Sequence, residues 1–460
     1  MKKTLMFLMT MALMMSCNQK KEESGAFTGA PGEVKLLTLA PGHFHAALVQ
    51  KTSYPQVNKD VYVYAPEGDE VVQHLEKIKG YNTRADEPTS WNEIVYTGDN
   101  YLQRMIAEKK GNVMVVAGNN RKKTEYIKTA LDNGIHVLAD KPMAINPENF
   151  QLLKSCFETA EKNGLLLYDI MTERYEITSI LQRELAHIPG LFGEFVPGTP
   201  ESPAVVKESV HHFSKLVSGA HLLRPAWFFD VEQEGDGIVD VTTHLVDLIQ
   251  WGCFPEEIID YTKDVEIFDA NRWATTVDPA QFKQVTQMDS YPDYLQKDVK
   301  DGVLHVYSNG DILYKLKGLY AKISVIWNFE APPGIGDTHF SIMRGTKANL
   351  VIRQGAEQDY KPTLYVEAAN DTNNNLKTDL DKVINSLLPT YPGISVEEVA
   401  GGWKVNIPES YSVGHEAHFG EVTERYLHYL IDGKLPDWEV PNMIAKYYVT
   451  TEALRIAKSK

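Results

Sequence analysis

The chain has little cysteine: three in 460 residues, too few for a disulfide framework. Cys156 and Cys253 sit in apolar, helical surroundings, where buried free thiols are common. Positive charge is also in deficit. Lys and Arg number 46 against 62 Asp and Glu, a formal net charge of −16. That argues against nucleic acid or an anionic membrane surface as a partner, because phosphates need a basic footprint. Internal repeats and low-complexity tracts are absent. What is present is a chain of ordinary apolar content, 43%, long enough for two or three domains and a large core.

The N-terminus is a targeting segment. Lys2 and Lys3 precede an apolar run, Leu5–Met15, too short to span a bilayer, and then Ser16-Cys17. This pattern resembles a bacterial lipoprotein signal, which implies a signal peptide over 1–16 and lipidation of Cys17; the alternative is a cleaved secretory signal with an incidental cysteine. Residues 17–33 are polar with Gly and Pro and read as a flexible tether. Gln19 is not the acid that would suggest inner-membrane retention, and Lys21-Glu22-Glu23 resembles a surface-export signal. The expectation is an extracytoplasmic, lipid-anchored protein of the outer membrane, with no other membrane contact.

From Val34 the chain alternates strand and helix as far as Asp169, which predicts a doubly wound parallel sheet over 34–170. Leu36–Leu39 is followed by Ala40-Pro41-Gly42-His43-Phe44-His45 and a helix, the opening of a nucleotide-binding unit in which Ala40 and His45 replace the first and third glycines. Pro41, Gly42, His43 and Phe44 are the candidate phosphate contacts. The second strand ends at Ala65, which cannot bind a ribose hydroxyl; Glu67 is the substitute. A fully apolar strand ends in Gly118-Asn119-Asn120, and the next ends in Asp140-Lys141-Pro142. Lys141 therefore falls at the carboxyl end of a parallel strand, where open α/β sheets place ligands.

Beyond residue 171 strands with alternating character dominate, and turns at Asn309-Gly310 and Lys317-Gly318 predict an antiparallel sheet. Glu421–Ile431 and Asn442–Lys458 return to helix. One stretch, Gly235-Asp236-Gly237 through Trp251, reads as a glycine-bracketed helix start at Asp236. Helical spacing stacks Asp240, His244, Asp247 and Trp251 on one side. A carboxylate one turn from an imidazole can orient the ring, raise its pKa and form a proton-transfer pair. An Asp/His pair alone is more often a solvated surface pair.

Four features in the right order resemble the Gfo/Idh/MocA family of nicotinamide-dependent oxidoreductases, known chiefly for acting on sugars and cyclitols. They are Leu36–His45, Ala117–Asn120, Asp140-Lys141-Pro142 in place of Glu-Lys-Pro, and Gly235–Trp251; Gly345–Leu350 and the final helix pair also fit. The turn Pro-Gly-His-Phe-His and the lipoprotein start look like an extracytoplasmic branch. The resemblance implies an α/β fold: an N-terminal Rossmann domain, then a substrate-binding and oligomerisation domain over 171–460, C-terminal helices included, with a large open, mainly antiparallel sheet. It implies NAD or NADP, NAD favoured and tightly held, bound by Pro41–Phe44, Glu67, Gly118, Asn119, Asn120 and Lys141. It implies a carbohydrate substrate and a homo-oligomer formed through the sheet. Lys141 corresponds to the family's active-site lysine, Asp240 to its substrate-binding acid and His244 to its acid/base.

Hydride removal from an alcohol carbon needs a base for the hydroxyl proton and a cation for the developing alkoxide, roles that suit His244 and Lys141. Arg174, Tyr175 and His212 are further substrate candidates, with His43, His45 and His211 near the same cleft. Trp227, Phe228 and Phe229 read as core, with stacking on a sugar as the alternative. His415 and His418 have ligand-like spacing but no third partner, so no metal is expected. Free nicotinamide is scarce outside the cytoplasm. That motivates two alternatives to a simple dehydrogenase: a redox-neutral NAD-dependent glycoside hydrolase or lyase with Tyr175, His211 or His212 as the extra base, and a non-catalytic carbohydrate-binding lipoprotein.

Overall fold

The computed structural model describes residues 26–217, 220–370 and 375–460. The expected signal peptide, Cys17 and the first part of the tether lie outside the described residues. The rest of the tether is docked: the backbone N–H groups of Thr28 and Ala30 donate to the Glu33 carboxylate, and the Phe27 ring packs edge-on against His136.

Six parallel strands form the first sheet: β1 Leu36–Leu39, β2 Asp60–Ala65, β3 Asn92–Thr97, β4 Val113–Val116, β5 His136–Ala139 and β6 Leu167–Asp169, in the order β3-β2-β1-β4-β5-β6. β1, β4 and β5 are buried at every position, as strands covered by helices on both faces must be. The order reverses between β1 and β4, so the crevice beyond their carboxyl ends is where this fold binds ligands.

The second sheet has ten strands. It runs from Val265–Val277 through Val303–Leu316, Leu319–Glu330, Val205–Ser214, Thr338–Arg344, Ala348–Arg353, Thr363–Ala368 and Gly402–Asn406 to Ser395–Val399, with a short strand at Val299–Lys300 beside the second. Every pairing is antiparallel except Leu319–Glu330 with Val205–Ser214. Lys317-Gly318 is the expected turn, both residues having positive φ. Asn309-Gly310 is not a turn; it lies inside the unbroken strand Val303–Leu316. Asn309 there donates to the Trp273 carbonyl and accepts from the Trp327 amide, and a Cβ at Gly310 would come within 2.8 Å of Ile238.

The C-terminal helices do not belong to the second domain alone. Helix His415–Asp432 buries Phe419, Val422, Tyr426 and Leu427 in the core of the first domain. Helix Glu439–Lys458 contributes Met443 and Tyr447 to that core and Ala445, Val449, Ala453 and Leu454 to the other. It is buried on most sides, polar residues such as Asn442, Lys446 and Thr450 included, because both domains cover it. At this seam the Lys446 ammonium, fully buried, bonds Asp169 at the end of β6 and Asp247 of helix Thr242–Cys253, each at 2.8 Å. Arg174 clamps Asp247 through two bonds of 2.7 Å and reaches Glu439 at 2.8 Å.

Two expected outcomes follow from this packing. Lys446→Met leaves the buried Asp169 without a cation and Asp247 with Arg174 alone, and should cost about 3–5 kcal/mol, read by chemical denaturation. Burial pushes both His74 and His136 down to about 4, and His136 Nδ1 accepts the Leu166 amide, which needs the neutral ring. The unfolded chain binds these protons from about pH 6.5 downward. Stability should therefore be complete above that pH and fall by about 3 kcal/mol per ring as pH drops towards 4. A denaturation midpoint that stays flat between pH 6.5 and 5 would contradict this.

Candidate active site

A cavity of about 1300 Å³ lies between the carboxyl edge of the parallel sheet and the second sheet. Lys141 enters it from the end of β5. Asp240 and His244 enter from the other domain. Gly237 makes that approach possible: its amide donates to the Tyr307 carbonyl, and a Cβ there would sit 1.7 Å from the Ser308 carbonyl oxygen. The helix itself begins at Thr242, so Asp240 lies in the turn ahead of it. Asp236 does not cap the helix; it is buried and ion-paired with Arg272 and Lys458.

Lys141 and Asp240 form a buried ion pair. Burial works against the Lys141 charge, but the carboxylates of Asp240 and Asp140 outweigh it and hold the ammonium above its usual range. His244 differs from expectation. Asp240 is engaged by Lys141 and does not orient the ring, whose Nδ1 has no hydrogen-bond partner among the described residues. Burial first, then the Lys141 cation, holds the imidazole well below 6.5, where it is neutral and able to accept a proton. Glu173 also lines the cavity, its carboxyl pushed up to about 7 by burial and then by Glu176.

The four-residue face does not form as one surface. Asp247 is buried in the ionic seam, and Trp251 lies under the Arg183 guanidinium. Arg174 belongs to that seam, and Tyr175 packs on the first core and contacts Arg425; neither lines the cavity. His212 turns inward, 3.6 Å from Asp337, while its neighbour His211 lines the cavity, because successive strand residues face opposite ways. His211 Nδ1 is 2.9 Å from Asp337 and Nε2 is 2.5 Å from the Ser209 hydroxyl. Phe228 lines the cavity and Phe229 is core.

At the phosphate turn, Ala40 keeps a positive φ of 45°, the conformation a glycine would take without strain. A Cβ at Gly118 would fall 2.5 Å from the Ala40 carbonyl, so Gly118 lets the two turns touch. His43, Phe44, Gly118 and Asn120 line the cavity; Pro41, Gly42 and Asn119 do not. Asn119 instead bonds Gln233, and Asn120 bonds Glu234, closing the domains on each other. Glu67 is exposed and away from the cavity. The acid beside the turn is Glu70, which sequence reading missed because it sits on the helix Asp69–Thr83 rather than at the strand end. Its carboxylate would lie 2.6 Å from a Cβ at Gly42, and it accepts the Trp227 indole N–H from the second domain. Trp227 thus covers the turn instead of packing with Phe229 alone.

These residues fit a nicotinamide dinucleotide. The buried Asn120 Oδ1 has no partner among the described residues, and Asn120 lines the same cavity as Lys141. Glu70 supplies next to Gly42 the acceptor that Ala65 lacks.

The family model "Oxidoreductase family, NAD-binding Rossmann fold" matches residues 66–168, and "Putative oxidoreductase C terminal domain" matches 181–458. A crystal structure of a "putative oxidoreductase" from Parabacteroides merdae ATCC 43184 shares 63% identity and a TM-score of 0.93, over 94% of this chain and 99% of that one. An oxidoreductase domain protein from Kribbella flavida shares 14% identity and a TM-score of 0.59, over 93% and 97% of the two chains. Levoglucosan dehydrogenase, in complex with NADH and levoglucosan, shares 12% identity and a TM-score of 0.59 over 92% and 97%; at this distance the likeness is one of fold. Among curated proteins none matches. With the family models spanning both domains around the Lys141–Asp240 pair, the chain belongs to the Gfo/Idh/MocA family of NAD-binding oxidoreductases.

Proposed function

We propose that this oxidoreductase acts on a carbohydrate or polyol, oxidising a secondary alcohol at the Lys141–Asp240–His244 end of the cavity. The observation that carries the reading is the ion pair of Lys141 with Asp240 beside a neutral, unpartnered imidazole on one cavity wall. When bound, the nicotinamide accepts the hydride. The neutral His244 takes the hydroxyl proton, and the Lys141 ammonium stabilises negative charge on the oxygen as it develops. Asp240 keeps Lys141 charged and placed. Asn120 and Lys141 would hold the nicotinamide end, and His43, Phe44 and Gly118, which line the cavity at the phosphate turn, the diphosphate, with Glu70 beside Gly42 the candidate for a ribose. A cavity lined by Glu173, Glu208, His211, Asp337 and His339 as well suits a ligand dense in hydroxyls, each able to donate to a carboxylate.

A second reading, redox-neutral cleavage of a glycoside by transient oxidation and elimination, is favoured by His211. Of the bases considered from sequence, it is the one that lines the cavity, and Asp337 orients it. Glu173, poised near pH 7, can serve as the acid. Such chemistry would suit a lipid-anchored extracytoplasmic protein with retained cofactor, the location that the N-terminal residues suggest. Self-association through the second sheet belongs to the same proposal.

Purifying the chain without added cofactor and assaying the denatured supernatant for NAD(H) tests the first element. Incubation with a glycoside separates the readings. Cleavage with no net change in the cofactor supports the second, and net reduction of NAD supports the first. Lys141→Met and His244→Gln should each lower turnover at least 100-fold with the circular dichroism spectrum retained; near-normal turnover would remove that residue from the mechanism. Glu70→Gln should weaken NAD binding about tenfold by loss of a charged hydrogen bond, and should weaken NADP less or not at all. Unchanged affinity for both nucleotides would show that Glu70 does not contact the ribose.

A further inference from the structure

Among the described residues one group of three has metal-ligand geometry, and it joins parts of the chain that sequence reading kept separate: His43 and His45 of the phosphate turn with Asp140 at the end of β5. His45 Nδ1 lies 3.1 and 3.0 Å from the two Asp140 oxygens, and His43 Nδ1 lies 3.3 Å from Oδ2. One ligand atom from each residue falls within 4.8 Å of the others. A divalent ion with bonds of about 2.1 Å places its ligand atoms ~3.0–3.5 Å apart at tetrahedral or octahedral edges. The nitrogen–oxygen edges of this cluster already have that length.

We propose that His43, His45 and Asp140 form a binding site for a divalent transition metal ion at the switch point of the parallel sheet. Two imidazoles and one carboxylate select zinc, cobalt or iron over magnesium or calcium, which prefer all-oxygen shells. All three residues line the cavity, so the remaining coordination positions are open to water or to a substrate hydroxyl. A further imidazole, His415, stands close by, its ring centroid 5.5 Å from that of His45. Asp140 and His45 are almost fully buried, which excludes competing solvent from that side of the ion. Two cations stand near. The charge of Lys141 is matched by Asp240, and the Lys123 ammonium points at the Asp140 backbone carbonyl, 3.0 Å away, rather than at the carboxylate. The site does not depend on the hydride-transfer reading and can be tested without an activity assay.

The test uses the full chain, tag removed, stripped with a chelator and dialysed. Co²⁺ is titrated in while visible absorption is followed, and bound metal is counted by mass spectrometry after gel filtration. One Co²⁺ per chain with d–d bands is expected. Asp140→Asn and His43→Gln should each weaken binding at least 100-fold, whereas His428→Gln, an exposed histidine on the helix His415–Asp432, should leave it unchanged. Thermal melts of the metal-free variants establish that each is folded. His43→Gln, whose side chain is partly exposed, keeps the test decisive if the Asp140 variant does not fold. No Co²⁺ band below about 100 µM free metal, or a band that persists in His43→Gln, overturns the site.

Discussion

The structure depends on a buried charge cluster at the seam of its two domains. Lys446 and Arg174 hold Asp169, Asp247 and Glu439 where almost no water reaches. Asp169 ends the last Rossmann strand, Asp247 lies on the helix that carries His244, and Glu439 opens the helix shared by both cores. Each carboxylate taken from water must be matched by a cation with good geometry, or its desolvation is uncompensated. The bidentate Arg174 fork supplies that geometry for Asp247, and Lys446, bonded to Asp169 and Asp247, ties the two domains together. Two cations face three carboxylates, and burial raises the Glu439 carboxyl towards its neutral form. The surplus charge is thereby reduced at Glu439.

Position at the seam sets the electrostatics of the cavity above it. With Asp247 committed to Arg174 and Lys446, and Asp240 to Lys141, neither carboxylate of its own segment is left to pair with His244. The imidazole is therefore neutral by position rather than by its own chemistry. In the proposed alcohol oxidation a neutral ring next to a charged lysine would divide the work: one group takes a proton, the other steadies the oxygen. The same cavity collects further titratable groups towards its far wall, Glu173 and the Ser209–His211–Asp337 chain among them. Its chemistry therefore extends beyond the ion pair at one end.

The phosphate turn has departed furthest from a plain dinucleotide site. Ala40 holds a glycine-like conformation, Trp227 covers Gly42 from the other domain, and Glu70 stands beside it. His43 and His45 turn towards Asp140 and so bring a carboxylate and two imidazoles within reach of Lys141. The family model for the Rossmann domain begins at residue 66, after this turn.

Much of the architecture was legible in the amino-acid sequence. Continuous apolar runs separated by helical stretches determined the parallel sheet, because strands buried on both faces have no polar side to display. Asp140-Lys141-Pro142 at a strand end, and a glycine-led Asp240 and His244 four residues apart, located the two halves of the cleft. What the sequence could not decide was partnership. Arg174 and Asp247 look as ready to meet a substrate as Lys141 and Asp240; only packing of the helix Glu439–Lys458 places Lys446 and Glu439 beside them. Asn309-Gly310 has the residues of a turn, yet strand pairing on both sides and the close approach of Ile238 keep it extended. His211 and His212 are equivalent in composition, and the sheet's register chose which faces the cavity. Glu70 and the His43–His45–Asp140 cluster arise from residues on separate elements. Local spacing determined secondary structure and the ends of strands. Long-range packing, which sets the burial and neighbours of each charge, decided which groups were left free to act.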